Sequence, residues 1–510
     1  MNHSDNLARG IMIRDPRSRL AASKQVAPTP ADGRDFAPRA STVGSALFLA
    51  GAWFTALTMH GDQPSQIAHY AAVGVGLSLL ASIYVDSRQG LLNLVRPDLM
   101  AIFALYFLTL FEFLFKQDLF NRRTDVYFTK QAIIACIVGF SGMVIGRHLP
   151  NVRKHSLKKI FLTPTPRGLI MAIFVGCVVL GSLNMLMAVN FSIPEMLHYF
   201  VAPRFTQPWS RERLGDWKAL LHELELILEL VPPIAGVIFG RRKKFAGWQL
   251  LITACGFFYV LFYGFSAGTR NVFATYLVTF LIGYAFAMPR EKWKELIVVS
   301  MACAALLVVS SVIMLQFRDE GLSDYVNGGY KYDIEHSDEE SLYIDYNLYA
   351  ICRIVEYIPS HHAYLGWEVP YLAVIRIVPR ALWHDKPEGL TLSIEDILNV
   401  SDLTIAASFV GESYLSAGLI GVFIAGLFFG VITGWWSHLA SAGNSELGIL
   451  IYASGFLAAV ISMRSIFVFT TAMLPTALAL GGGWLIVTLV SAMQAKARPA
   501  PRRLPVRKQP

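Results

Sequence analysis

The chain has 510 residues, of which 54% are hydrophobic and 16% charged, and its mean hydropathy is +0.47. Soluble domains carry about 25% charged residues, so this composition excludes an ordinary water-soluble enzyme and indicates a polytopic membrane protein. The net charge of +8 reports membrane topology rather than affinity for nucleic acid, because lysine and arginine collect on the cytoplasmic side of spans.

Residues 1–42 hold seven Arg and Lys among scattered prolines and read as a disordered basic cytoplasmic tail that touches anionic headgroups. Apolar runs near twenty residues then recur to the end. They fall at 43–60, 68–85, 98–115, 131–146, 168–189, 219–240, 246–265, 271–288, 296–315, 409–435, 447–462 and 466–490. The expected fold is therefore an all-α integral membrane protein with about twelve transmembrane helices over 43–490, followed by a second basic cytoplasmic tail at 491–510. No cleavable leader precedes the first run, which is expected to act as the targeting signal. The sixth run is the weakest, because His222, Glu223, Glu225 and Glu229 crowd its first half before Pro232 and Pro233.

With a cytoplasmic N-terminus, 28 of the 44 Lys and Arg fall inside, including Arg147, the 153–167 cluster, Arg241 to Lys244, Arg290, Lys292 and Lys294. Omitting the sixth crossing would put the 241–244 and 290–294 clusters outside, so the charge rule argues that this polar segment crosses. Both termini are then cytoplasmic, and a long loop at 316–408, between spans nine and ten, faces the periplasm or cell exterior.

That loop is where surface chemistry is expected. Its middle reads Arg376-Ile-Val-Pro-Arg380-Ala-Leu-Trp383-His384-Asp385-Lys386-Pro387, three cations and a histidine beside a tryptophan, suited to an anion at a membrane surface. An acidic run earlier in the loop, Asp333, Glu335, Asp338, Glu339 and Glu340, lacks the spacing of a calcium site and reads as a solvated strip. His361 and His362 have the reading of a base near neutral pH and the plainer one, which is preferred, of exposed loop histidines. Glu412 lies at the outer mouth of span ten, where a carboxylate is costly unless used or paired, and is the best carboxylate candidate. Arg270, in the turn between spans seven and eight, has two readings: contact with a surface anion, or snorkelling from a span end. Gly418, Gly421, Gly426, Gly430 and Gly434 place small residues along span ten, as close helix packing requires. The five cysteines show no CxxC spacing, so disulfides and zinc are not expected. No phosphate-loop sequence GxxxxGK[ST] occurs, which speaks against a cytoplasmic nucleotide as fuel.

The arrangement resembles the bacterial O-antigen polymerases, the Wzy-type oligosaccharide repeat-unit polymerases. The resemblance rests on many spans, one long outer loop in the C-terminal third, the Pro379-Arg380…Trp383…Lys386-Pro387 segment, and Gly411-Glu412 before a glycine-rich span. Members of that family carry an Arg followed, after ten residues, by Gly in two outer loops; this chain has Arg204…Gly215 and Arg318…Gly329. The resemblance implies an inner-membrane glycosyltransferase that acts on undecaprenyl-diphosphate-linked oligosaccharides at the periplasmic face; no metal or cofactor is expected if arginines neutralise the charge. A flippase and a chain-length regulator of the same pathway would be its protein partners.

A sugar joined through C1 to a lipid diphosphate is already activated, so an acceptor hydroxyl can displace it if charge on the leaving diphosphate is stabilised. Arg270, Arg376, Arg380 and Lys386 are the expected diphosphate contacts, with Arg204 and Arg318 added by the family motif. Glu412 or His384 is the expected base. Trp383 and Tyr414 can stack on sugar faces, and each also has the plain reading of an interfacial anchor. Three other readings stay open: an O-antigen ligase-like transferase, which shares this layout, a transporter or flippase of lipid-linked sugar, and a scaffold within a polysaccharide assembly complex.

Overall fold

The computed structural model describes residues 40–150, 165–202, 206–209, 224–268, 270–317, 321–326, 347–378, 382–383, 385–387, 389–398, 406–439 and 445–497. Among these residues every regular element is a helix. In chain order the main ones are α1 (Thr42–Thr58), α2 (Pro64–Ser87), α3 (Pro97–Thr109), α4 (Val126–Gly146), α5 (Arg167–Ala188), α6 (Val231–Gly240), α7 (Gly247–Ser266) and α8 (Arg270–Ala287). They continue as α9 (Trp293–Phe317), α10 (Asn347–Tyr357), α11 (Glu368–Ile375), α12 (Ile394–Leu398), α13 (Ser408–Leu439), α14 (Glu446–Ile461) and α15 (Ile466–Ala497). Among the described residues seven helices, namely α2, α4, α5, α7, α9, α13 and α15, are long and apolar enough to cross a bilayer. Shorter apolar helices lie in α1, α3, α8 and α14. The chain is an all-α membrane protein.

Helix starts follow local chemistry. Pro64 and Pro97 open α2 and α3, where a missing N–H costs nothing, and Ser41, Asp125 and Ser445 cap α1, α4 and α14 through their side chains. The polar sixth run departs from an ordinary span. Glu225–Leu230 forms a 3-10 stretch, and Pro232 and Pro233 sit in the first turn of the ten-residue α6. Glu225 is accommodated there because the buried Tyr263 hydroxyl of α7 donates to its carboxylate.

Gly426, Gly430 and Gly434 of the glycine stripe do pack closely, and their partner is α4 with its cap residue Arg147. A methyl group on Gly426 would come within 2.5 Å of the Gly139 carbonyl oxygen, and one on Gly434 within 2.7 Å of the Arg147 carbonyl oxygen. The expected uninterrupted tenth span, however, is broken. Ala417 (φ −155°, ψ 33°) and Gly418 (φ 60°, ψ −145°) split α13 into a short first limb and a long second limb. Val410 of the first limb and Val422 of the second both lie within 3.4 Å of a methyl placed on Gly139, so the limbs flank the same level of α4. A strap from the loop closes the break. The N–H groups of Leu365 and Gly366 donate to the Leu415 and Ser416 carbonyls, each at 2.9 Å, and the Ser416 hydroxyl returns a bond to the Gly366 carbonyl at 2.6 Å.

The conformation of Gly418 is one that essentially only glycine adopts, and a methyl there would also meet the Tyr364 hydroxyl at 2.9 Å. Gly418→Ala is expected to cost about 1–3 kcal/mol. The measurement is thermal unfolding of detergent-solubilised protein, and an unchanged midpoint would show that the break does not need glycine.

The described part of the 316–408 loop folds onto the helices. Leu348, Ala350, Ile351, Cys352 and Ile354 of α10 are fully buried and pack with α4 and α13 in one core cluster. Ser393 and Asp396 cap α12 reciprocally, and the Ser393 hydroxyl holds the exposed Asp396 carboxyl below its usual range. His361 is exposed and stacks on Tyr357, as the plain reading of that residue had it. The acidic run at 333–340 lies outside the described residues.

One cluster of charge is fully buried. Arg96 bonds Asp86 at the end of α2 (2.6 Å) and Asp98 at the start of α3 (3.2 Å), and Arg147 at the end of α4 lies 3.7 Å from Asp98. Ser45 accepts from Arg147 at 2.5 Å, and Ser437 near the end of α13 donates to Asp98 at 2.6 Å. Arg147, counted among the cytoplasmic cations, is 3% exposed, and two carboxylates and two guanidiniums cancel in charge around it.

Candidate functional site

The α13 break places Glu412 in the short first limb. Its carboxylate, 3% exposed, is carried to the N-terminus of α15. The Ser465 hydroxyl donates to Oε1 at 2.6 Å and the Ile466 N–H to Oε2 at 2.5 Å. Ser465 also accepts from the Phe467 N–H at 3.2 Å, and so caps α15. The start of α13 is pinned to the same turn, since the Phe409 N–H donates to the Met463 carbonyl at 3.2 Å. A buried carboxylate is thus satisfied by two donors from another helix, as its desolvation demands.

Of the expected anion contacts among the described residues, Arg376 acts on Glu412 through its charge. It is the C-terminal cap of α11, which packs on α13 and α15. Its guanidinium carbon lies 5.9 Å from the centroid of the Phe467 ring, and its charge acts on the Glu412 carboxylate. Lys386 donates to the carbonyls of Arg376 (3.2 Å) and Val378 (2.8 Å), tying off the end of α11. Tyr414, one turn from the break, is 9% exposed and pairs with the strap residue Tyr364 at a ring distance of 6.3 Å. Trp383 is half-buried. Arg204, Arg318, Arg380 and His384, with the motif glycines Gly215 and Gly329, lie outside the described residues. Arg270 is the first residue of α8, and its side chain also lies outside what is described.

Two residues of the turn before α15 escape sequence reasoning. Ser465 gives no pattern, since hydroxyls are common in and between spans. Arg464 does give one: it is the sole charged residue between Glu446 and Lys496 in the sequence, and a lone cation there is costly without a use. It is half-buried in the turn joining α14 to α15, with its N–H on the Ile461 carbonyl at 2.9 Å. Among the described residues no group of three or more His, Cys, Asp or Glu is placed to hold a metal ion.

A family model described as a domain of unknown function, DUF8712, matches residues 344–473. That segment holds α10 to α14 and the first turns of α15, and therefore Glu412, Arg376, Arg464 and Ser465. No curated protein and no solved structure matches the chain.

Proposed function

We propose that the chain is a polysaccharide polymerase that transfers undecaprenyl-diphosphate-linked oligosaccharide repeat units onto a growing lipid-linked glycan. The observation that carries this reading is the buried Glu412 carboxylate, set at the break of α13 within the field of Arg376 and beside the turn that holds Arg464. A carboxylate that accepts one bond on each oxygen keeps lone pairs for a proton. In the proposed step Glu412 takes the proton of an acceptor hydroxyl as that oxygen bonds to C1 of the donor sugar. The bond from C1 to the diphosphate breaks, and the lipid diphosphate leaves with the electron pair while guanidinium groups neutralise it. A single displacement of this kind inverts the anomeric centre. His384 is the alternative base, and Arg204, Arg270, Arg318, Arg380 and Lys386 complete the proposed set of diphosphate contacts.

The proposal places twelve crossings in the bacterial inner membrane, with both termini cytoplasmic and the 316–408 loop periplasmic. Side-chain pairing supports it. Segments assigned to the cytoplasmic side bond one another: Ser41 with Asp86 (3.0 Å), Lys244 and Arg241 with Glu446 (Lys244 at 3.1 Å), and Arg242 with Glu295 (2.8 Å). Segments assigned to the opposite side do likewise, as Ser65 with Asn121 (2.8 Å) and Glu412 with Ser465.

The test is to incubate purified protein with lipid-diphosphate-linked repeat units alone. A ladder of longer lipid-linked glycans is expected. Transfer solely onto a lipid A core would establish a ligase instead. The break in α13 beside a buried carboxylate also favours a second reading, transport of the lipid-linked sugar, because transporters build sites at discontinuous helices. Proteoliposomes that translocate the substrate without lengthening it would favour that reading over the first.

A further inference from the structure

Building on the reading of Glu412 as the base, we propose that Ser465 is its positioning residue, holding the carboxylate on the frame of α15 rather than on that of its own limb. The first limb of α13 is short and separated from the second by the break, so it cannot by itself fix a side chain rigidly. By contrast, α15 runs from Ile466 to Ala497. A serine hydroxyl has a single proton. Because Ser465 accepts from the Phe467 N–H, that proton is turned to Glu412 Oε1, and with the Ile466 N–H on Oε2 the plane of the carboxylate is set from both sides. Among the described residues Arg376 of α11 acts on this carboxylate by its charge, while Tyr414 lies on the same limb against Tyr364 of the strap and Arg464 precedes Ser465 in the chain.

The test compares the full-length chain with Ser465→Ala and Ser465→Thr. A lost bond to a charged group corresponds to about a 10- to 100-fold fall in kcat for glycan elongation by Ser465→Ala, with KM within about twofold. Ser465→Thr, which keeps the hydroxyl, is expected to recover to within about threefold. A second readout needs no activity: labelling of Glu412 by dicyclohexylcarbodiimide, followed by mass spectrometry, is expected to be about tenfold faster in Ser465→Ala and unchanged in Ser465→Thr. Equal labelling of all three proteins, an unaltered kcat in Ser465→Ala, or equal loss in the threonine variant would overturn the proposal. If the wild type lengthens no lipid-diphosphate glycan, the polymerase reading falls, and the labelling rates still decide whether Ser465 holds Glu412.

Discussion

Glu412→Gln will lower the rate of glycan elongation by about 10²–10⁴-fold, the range typical of a removed general base. The substitution keeps the shape of the side chain and one oxygen acceptor for Ser465, but its amide nitrogen cannot accept the Ile466 N–H and cannot take a proton from an acceptor hydroxyl. The variant is expected to reach the membrane at a near-normal level and to leave lipid-linked repeat units unextended. Gel separation of labelled lipid-linked glycans reads the result. A chain-length distribution equal to that of wild type would remove Glu412 from the chemistry and pass the role of base to His384.

The second large effect concerns stability. Arg96→Met is expected to cost about 3–5 kcal/mol, because it leaves the buried carboxylates of Asp86 and Asp98 with Arg147 as the one remaining cation of the cluster and Asp86 without its ion-pair partner. Thermal unfolding in detergent would show it, together with a lower yield of folded protein. Adding Asp86→Asn to Arg96→Met removes one of the stranded charges and should recover part of the loss, as the coupling of paired sites requires. A midpoint for Arg96→Met equal to that of wild type would mean that the cluster is solvated in the membrane-embedded protein.

The helical, membrane-embedded character of the chain was legible in the apolar runs, because hydropathy over twenty residues is a property of composition. Glu412 was legible for a related reason: one carboxylate at the mouth of an apolar run is conspicuous by its cost. The break beside it was hidden. Ala417 and Gly418 sit at the head of a stripe of small residues whose ordinary meaning is close packing, and that meaning also holds from Gly426 to Gly434. Backbone torsion at Gly418 depends on the strap 364–366, fifty residues away, which no local pattern reveals. The burial of Arg147 was hidden too. A rule that counts cations near span ends registers its charge but not its partners, and Asp98 and Ser45 come to it from two other helices. Lys386 lies in a cationic segment read as an anion grip, yet its ammonium is engaged with backbone carbonyls at the end of α11, a contact that charge alone does not encode.

The bond between Ser437 and Asp98 joins residues 339 apart in the chain. A ribosome that threads the protein into the bilayer delivers Asp86, Arg96 and Asp98 early, so these can meet as soon as the second and third helices are released. Ser437 arrives only after more than three hundred further residues have been translated. The second limb of α13 must then slide along the glycine face of a helix already in place, which makes its docking a late event in biogenesis. Glu412 lies on the other limb of that same helix, so the surroundings of this carboxylate are completed only after the scaffold that receives them.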